Sequence, residues 1–128
     1  MKIYQKDIEQ YLSEVQEAVE NNNYRIDRND RRQDNIDLFQ DYIIDEAKAK
    51  DILLSLTVMD FSGILQNNHK GYEHEKLYVF GKDVDLLERN GTEEKRVSLY
   101  IKFNKLTNCF VIVISFHEQK YPLTYYFK

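Results

Sequence analysis

Residues 97–117, VSLYIKFNKLTNCFVIVISFH, carry the reading that decides the fold. From Val97 to Phe103 large apolar side chains alternate strictly with Ser98, Tyr100 and Lys102, the period-two pattern of a strand with one buried face. Beyond Thr107-Asn108, Cys109 to His117 is an almost unbroken apolar run, with Phe110, Ile112, Ile114 and Phe116 on one parity. Bringing both large apolar sets to one side of a hairpin requires paired residue numbers with an odd total, about 215 for a tight turn at Thr107-Asn108. That register predicts Tyr100 opposite Ser115, Lys102 opposite Val113 and Ser98 opposite His117. Tyr100 and His117 are then diagonal neighbours, about 7 to 8 Å apart, on the face away from the core.

Working outward, Asn90-Gly91 is the strongest hairpin signal in the chain, with Val84 to Leu87 before it and Val97 onward after it. Leu77 to Phe80 is a short β-type run closed by Gly81. On the C-terminal side Pro122 interrupts pairing, and Leu123 to Phe127 is expected as a closing edge strand. Toward the N-terminus the period changes. Ile3, Ile8, Tyr11, Leu12, Val15 and Val19 make a helical stripe that ends at Asn21-Asn22-Asn23, residues that favour helix ends and turns. Ile36, Phe39, Ile43 and Ala47, extended by Ile52 to Leu56, predict one long or two short helices over about 34–55. Thr57-Val-Met-Asp60 has the capping pattern [ST]-x-x-[DE], which predicts a third short helix over about 58–66 anchored by Phe61, Ile64 and Leu65. The sum is a single α+β domain over 1–128, helical over about 3–66 and β over about 76–128. Its N-terminal helices pack on one face of a mostly antiparallel sheet of four to five strands.

Composition narrows the function. The 128 residues are 42% hydrophobic and 31% charged, with 4 Gly and 1 Pro, which excludes collagen-like and wholly disordered chains. A lone Cys109 allows no intramolecular disulfide, and no Cys/His spacing points to structural zinc, so a reducing, cytoplasmic setting is expected. No apolar run approaches the roughly 18 residues of a membrane span, and the first residues carry acids where a signal peptide is apolar. The net charge of −4 argues against a protein that coats nucleic acid. Its distribution is uneven: residues 1–51 hold 8 Lys/Arg against 13 Asp/Glu, and residues 52–128 hold 10 against 9. An anion site is therefore expected in the C-terminal half. In YRIDRNDRRQDN, residues 24–35, four arginines alternate with aspartates; this reads as a solvated charged loop, with an RNA or partner contact as the alternative.

His117, Tyr100 and Lys102 share the non-core face of one hairpin and supply a proton donor near neutral pH, a phenol and a fixed positive charge. Those are parts for handling a phosphate, and they are also ordinary residues of a sheet surface. His69 and His74 lie in NNHKGYEHE, residues 67–75, where no HExxH or EF-hand pattern is present, so neither a metal nor another cofactor is expected. That stretch is a polar loop leading into the sheet; its functional alternative is a loop that carries Glu75 and a lysine to the His117 face.

Four stretches resemble the MqsR group of bacterial toxins, ribonucleases with a RelE-like fold. They are Leu12-Ser-x-Val15 with Val19 and Asn21, Leu56-Thr57-x-x-Asp60-Phe61, Tyr100-x-Lys102, and Val111-Ile-Val-Ile-Ser115-Phe116, in the family's order. The resemblance implies a RelE-like fold and a cytoplasmic toxin of a toxin-antitoxin pair. Such a toxin is a metal-independent mRNA endoribonuclease, neutralised by a cognate antitoxin. Tyr100 falls on the family's catalytic tyrosine, His117 on its C-terminal catalytic lysine, and Glu75 on its glutamine. A further family lysine falls on Gly63, and Asp83 to Arg96 and the tail after Glu118 look like additions. The roles this implies are Glu75 or Tyr100 assisting deprotonation of the ribose 2′-hydroxyl, His117 as general acid, and Lys102 with Lys76 or Lys82 stabilising the phosphorane, with His74 as a further substrate contact. The competing expectation is a non-catalytic member of the same fold that binds a protein, favoured by Gly63 and by the acidic balance. Under either expectation Leu123 to Phe127, as an exposed edge, would add a strand from a partner.

Overall fold

In the computed structural model, which describes residues 2–128, the N-terminal stripe forms α1, Gln5–Glu20, burying Ile8, Leu12, Val15 and Val19. The helix ends where the asparagines begin, with Asn22 at φ 57 in the left-handed region that asparagine tolerates. A short strand β1, Tyr24–Ile26, comes next, and then two short helices, α2 over Gln33–Asp41 and α3 over Glu46–Leu54. Asp45 caps α3 by accepting from the Lys48 amide at 2.7 Å. At the other end Gln16 Nε2 donates to the carbonyls of Leu53, Leu54 and Leu56 at 3.0 to 3.3 Å. Leu53 and Leu54 end α3, where carbonyls lack intrahelical partners, and Leu56 lies just beyond, so α1 and α3 are joined by polar as well as apolar contact. The buried positions of α2 are Asn35 and Leu38, rotated from the stripe read through Ile36, Phe39 and Ile43, and Ile43 is 46% exposed.

The third helix is not formed. The Thr57/Asp60 capping box is present, but it caps only one 3-10 turn, Val58–Asp60, after which Phe61–Gln66 is strand β2. Phe61 explains the difference: it is wholly buried and stacks edge-on with Phe80, and the chain gains a full row of pairing with β3 by extending there. Strand β3 covers Lys76–Leu87, β4 covers Glu94–Lys105 and β5 covers Val111–Glu118, with Asn90-Gly91 in the turn between β3 and β4.

The sheet is mixed, in the order β1-β5-β4-β3-β2, with β1 parallel to β5 and the other neighbours antiparallel. One core lies between the sheet and the three helices, centred on Phe61, Phe80, Phe103 and Phe116 with Val15, Val19 and Leu53. Among the described residues no helix is long and apolar enough to cross a membrane.

The expected closing strand at Leu123 to Phe127 is also absent. The chain after β5 is irregular and crosses the second face of the sheet instead. Gln119 Nε2 donates to the Leu99 carbonyl at 3.0 Å, Ser62 Oγ donates to the Thr124 carbonyl at 2.7 Å, and the Tyr126 amide donates to Phe61 O at 3.0 Å. Gly81 is the crossing point, because a Cβ there would strike the Tyr125 hydroxyl and come within 2.7 Å of Leu123. From Gly81 the tail passes round the β2 edge, where the Tyr126 amide bonds to Phe61 and Phe127 packs 5.9 Å from the Phe61 ring, so this segment caps the edge without forming the closing strand expected for partner pairing.

Candidate functional site

A bulge in β5 sets the site. Tyr100 pairs with His117, Ile101 with Phe116 and Lys102 with Ser115, but the next pair is Phe103 with Val113, which leaves Ile114 as the extra residue. The core parity of β5 therefore switches from Phe116 to Val113 and Val111, while Ile112 and Phe110 leave the core face expected for them. The uninterrupted register expected from the turn is corrected accordingly: His117 faces Tyr100 directly, not Ser98, and Ser115 faces Lys102.

Asn35 provides the physical reason the bulge persists. Strand β1 stops pairing with β5 at Val113, and beyond it the Asn35 carboxamide takes over. Its Nδ2 donates to the carbonyls of Asp27 and Ile114 at 2.8 and 2.9 Å, and its Oδ1 accepts from the Phe116 amide at 2.8 Å. The backbone groups that the extra residue turns away from the ladder are thus satisfied inside the protein, as burial requires.

Direct pairing stacks the Tyr100 and His117 rings, with centroids 5.2 Å apart and planes 11° from parallel. His117 Nδ1 lies 2.8 Å from the Glu118 carbonyl, which can only accept, so Nδ1 carries the proton of that bond. Nε2 is left without a hydrogen-bond partner among the described residues. Burial pushes the Tyr100 phenol above its ordinary value, so it stays protonated and acts as a donor. Lys102 lies two residues further along the same face, about 7 Å at the backbone. Burial, and then the charge of Arg32, hold its ammonium below the usual lysine value.

The other candidates lie elsewhere. Glu75 accepts from Asn67 Nδ2 and Asn104 Nδ2, each at 3.0 Å, and Asn104 is four residues from Tyr100 on β4, about 13 Å along the strand. His74, Glu75 and Lys76 line a separate cavity with Tyr11, Tyr78 and Lys105, where the two tyrosine rings stack 3.6 Å apart. Glu75 is therefore held by the protein's own hydrogen bonds at the far end of the Tyr100–Lys102 row, away from His117. Lys82 is corrected outright: it pairs opposite Leu99, on the helix side of the sheet, and its Nζ is 3.3 Å from Asp60 Oδ2 and from the Ser55 carbonyl. Lys82 therefore cannot meet a ligand held by Tyr100. A Cβ on Gly63 would meet nothing within 4 Å, so the position where the resemblance implies a lysine is roomy and bears no side chain.

Two neighbours of the pair carry charge that the hairpin pattern alone did not reveal. On the β5 side His117 lines a cavity of about 520 Å³ with Asp34, Asp37, Asp41 and Glu118, and Asp34 is paired with Lys120 at 2.8 Å. On the Lys102 side Arg32, from the arginine-rich stretch, joins Lys102 in a second cavity. Arg32 and Asn35 are the residues that strand periodicity missed. The one signal for Arg32 was membership of a basic run, and for Asn35 there was none. Among the described residues no group of three or more His, Cys, Asp or Glu side chains is placed to hold a metal ion. No protein-family model, no curated protein and no solved structure matches this chain.

Proposed function

We propose that the protein is a metal-independent mRNA endoribonuclease acting as the toxin of a toxin-antitoxin pair, with Tyr100 and His117 as its catalytic residues and Lys102 as a substrate contact. The observation that carries this reading is the stacked Tyr100–His117 pair with a cation one step along the same face. In the proposed reaction the ribose 2′-oxygen attacks phosphorus and the bond to the 5′-oxygen breaks. The 2′-hydroxyl proton passes to water, and His117 Nε2 delivers a proton to the leaving oxygen, giving a 2′,3′-cyclic phosphate and a free 5′-hydroxyl. The Glu118 carbonyl holds the imidazole in the orientation this needs. Tyr100, kept protonated, donates to a phosphate oxygen, and Lys102, one step along the same face, contacts the substrate backbone beside the reacting phosphate. Glu75, fixed by two asparagines, supports the loop and takes no part. The RelE-like arrangement, the cognate antitoxin and the cytoplasmic setting belong to this proposal through the sequence resemblance alone.

The test compares wild type with His117→Ala on a long mRNA in excess EDTA, with the ends of the fragments mapped. Discrete cuts by wild type alone support the reading, and cuts by both remove His117 from the mechanism. No cutting by either favours a second reading for which Asp34, Asp37, Asp41 and Glu118 beside His117 are the specific support: a non-catalytic protein that binds a basic partner through this acidic cavity. Growth arrest on expression in a bacterial host separates the two readings independently.

A further inference from the structure

The cavity beside Lys102, about 410 Å³, has a floor of Leu65, Leu77 and Ile114, with Arg32 and Lys102 at its sides. Of the 18 Lys and Arg side chains, six, those of Arg25, Lys82, Lys95, Arg96, Lys105 and Lys120, have a carboxylate within 3.3 Å. Among the described residues Arg32 and Lys102 have none. They are half-buried, of like charge, and turned into one concave site in a protein whose net charge is −4. Like charges partly withdrawn from water and left without a counter-ion cost stability, and an anion between them recovers that cost.

The surroundings narrow the anion. Leu65 is 47% exposed and forms, with Leu77 and Ile114, an apolar floor that a simple inorganic ion would not use. On the rim, Asn68 and the His69 ring make no side-chain hydrogen bond among the described residues, so both can read the edge of a flat heterocycle. The Lys102–Ser115 pair is one step along the sheet, about 7 Å, from the Tyr100–His117 pair, a spacing that suits successive phosphates of an extended strand. In the opposite direction the acidic wall of Asp37, Asp41 and Glu118 repels a phosphate, and the tail anchored over Gly81 covers the sheet toward β3. The remaining way out of the Tyr100–His117 pair leads to Arg32.

We infer that Arg32 and Lys102 form a second subsite for single-stranded RNA, holding the phosphate adjacent to the scissile one while the neighbouring base lies on Leu65, Leu77 and Ile114. This rests on the nuclease reading for the position of the scissile phosphate, but its test is binding and not cleavage.

The probe is a fluorescein-labelled 2′-O-methyl uridine hexamer, which lacks the attacking hydroxyl and cannot be cut by this chemistry, titrated with the full chain and followed by anisotropy at several salt concentrations. Arg32→Gln and Lys102→Gln are each expected to weaken binding about 10-fold, with Arg32→Lys retaining most of it. For the double variant, log K against log salt should become shallower by about 0.7, the single-strand value for one phosphate contact. Thermal melts show whether each variant is folded. Should the glutamine variants bind as wild type does, or should folded wild type not bind the hexamer at all, the subsite is overturned. The nuclease reading stands or falls separately, on cleavage of unmodified RNA: cutting that persists with unaltered KM in Arg32→Gln leaves the nuclease and removes the subsite.

Discussion

Asn35→Leu should be among the most damaging single substitutions outside the aromatic core. The side chain is 1% exposed, and its three hydrogen bonds run from 2.8 to 2.9 Å. Leucine keeps the branching at Cγ and leaves no cavity, so the loss is polar, with some overpacking from its bulkier methyl groups. It leaves the Phe116 amide, the Ile114 carbonyl and the Asp27 carbonyl without their partner. Phe116 is fully buried, so its amide cannot turn to water and bears the whole desolvation cost, about 1 to 3 kcal/mol. The Ile114 carbonyl adds a similar or smaller amount, and Asp27, nearer the surface, adds little. The expected total is about 3 to 5 kcal/mol, out of the roughly 5 to 15 kcal/mol that holds an ordinary domain together. At a few degrees per kcal/mol, the melting temperature falls by roughly 10 to 20 °C. Urea unfolding followed by circular dichroism measures the first quantity and a thermal scan the second. A structural readout accompanies them: the His117 ring protons, shifted in NMR spectra by the stacked Tyr100 ring, should move toward unstacked values as the bulge loosens. A stability loss below about 1 kcal/mol, or a destabilised variant whose His117 shifts are native, would refute the idea that Asn35 holds the bulge in place.

The same contacts and charges fix four further outcomes. Gly81→Ala pushes aside the ends of the Tyr125, Leu123 and Gln119 side chains, so it should cost about 1 kcal/mol and loosen the tail enough to make it accessible to carboxypeptidase, whereas Gly63→Ala, with open space around its Cβ, should leave the tail protected. Lys102→Met should raise the melting temperature at neutral pH while lowering hexamer affinity. The folded ammonium is held below its unfolded value by burial and by Arg32, so it destabilises at neutral pH, and that penalty is relieved as pH rises through the lowered pKa. The tyrosines act with the opposite sign: burial raises Tyr11, Tyr24, Tyr42, Tyr78 and Tyr100 above 10.0, so the folded state holds more protons than the unfolded one above that pH. Stability should therefore fall above the ordinary tyrosine pKa, and ultraviolet titration of the folded protein should ionise fewer than its 10 tyrosines. Gln16→Ala should cost about 1 kcal/mol by freeing the end of α3, measured by urea unfolding.

Periodicity exposed the elements that bury one clean face and failed where a residue serves two. The alternation of Val97, Leu99, Ile101 and Phe103 survives intact because β4 has no irregularity of its own and each of those side chains is fully or almost fully buried. In β5 both parities are apolar, so pattern alone could not say which side faced the helices, and the choice changes midway at Ile114. Thr57 to Asp60 is a true cap, but the length of the helix it opens is set by residues further along the chain. Phe61 is decided by a partner strand that begins 15 residues later, which no local signal conveys. The tail behaves in the same way: Leu123 and Tyr125 have strand-like spacing, yet their partner is the bare backbone of Gly81 under them and not a neighbouring edge.

For the site, the chemistry was legible before the geometry. Tyr100, Lys102 and His117 announce themselves as polar residues on the solvent parity of otherwise apolar strands, and the fold keeps all three on one face. The resemblance points to Glu75 across a loop, and charge alone points to Lys82 on a strand with mixed sides; each satisfies a local partner instead: Asn67 and Asn104 for the first, Asp60 and Ser55 for the second. A charged residue whose partner sits nearby in the fold but far along the chain cannot be told by sequence from one that awaits a ligand. The converse holds for Arg32. In a run where aspartates alternate with arginines, every arginine has an apparent partner, and the fold gives one to Arg25 in Asp27 at 2.9 Å while turning Arg32 toward a lysine. A cation facing a cation lowers stability wherever it occurs, so the pair gains a physical rationale only when an anion completes it. That asymmetry, more than the stacking of Tyr100 on His117, makes this face of the sheet the one to probe with RNA.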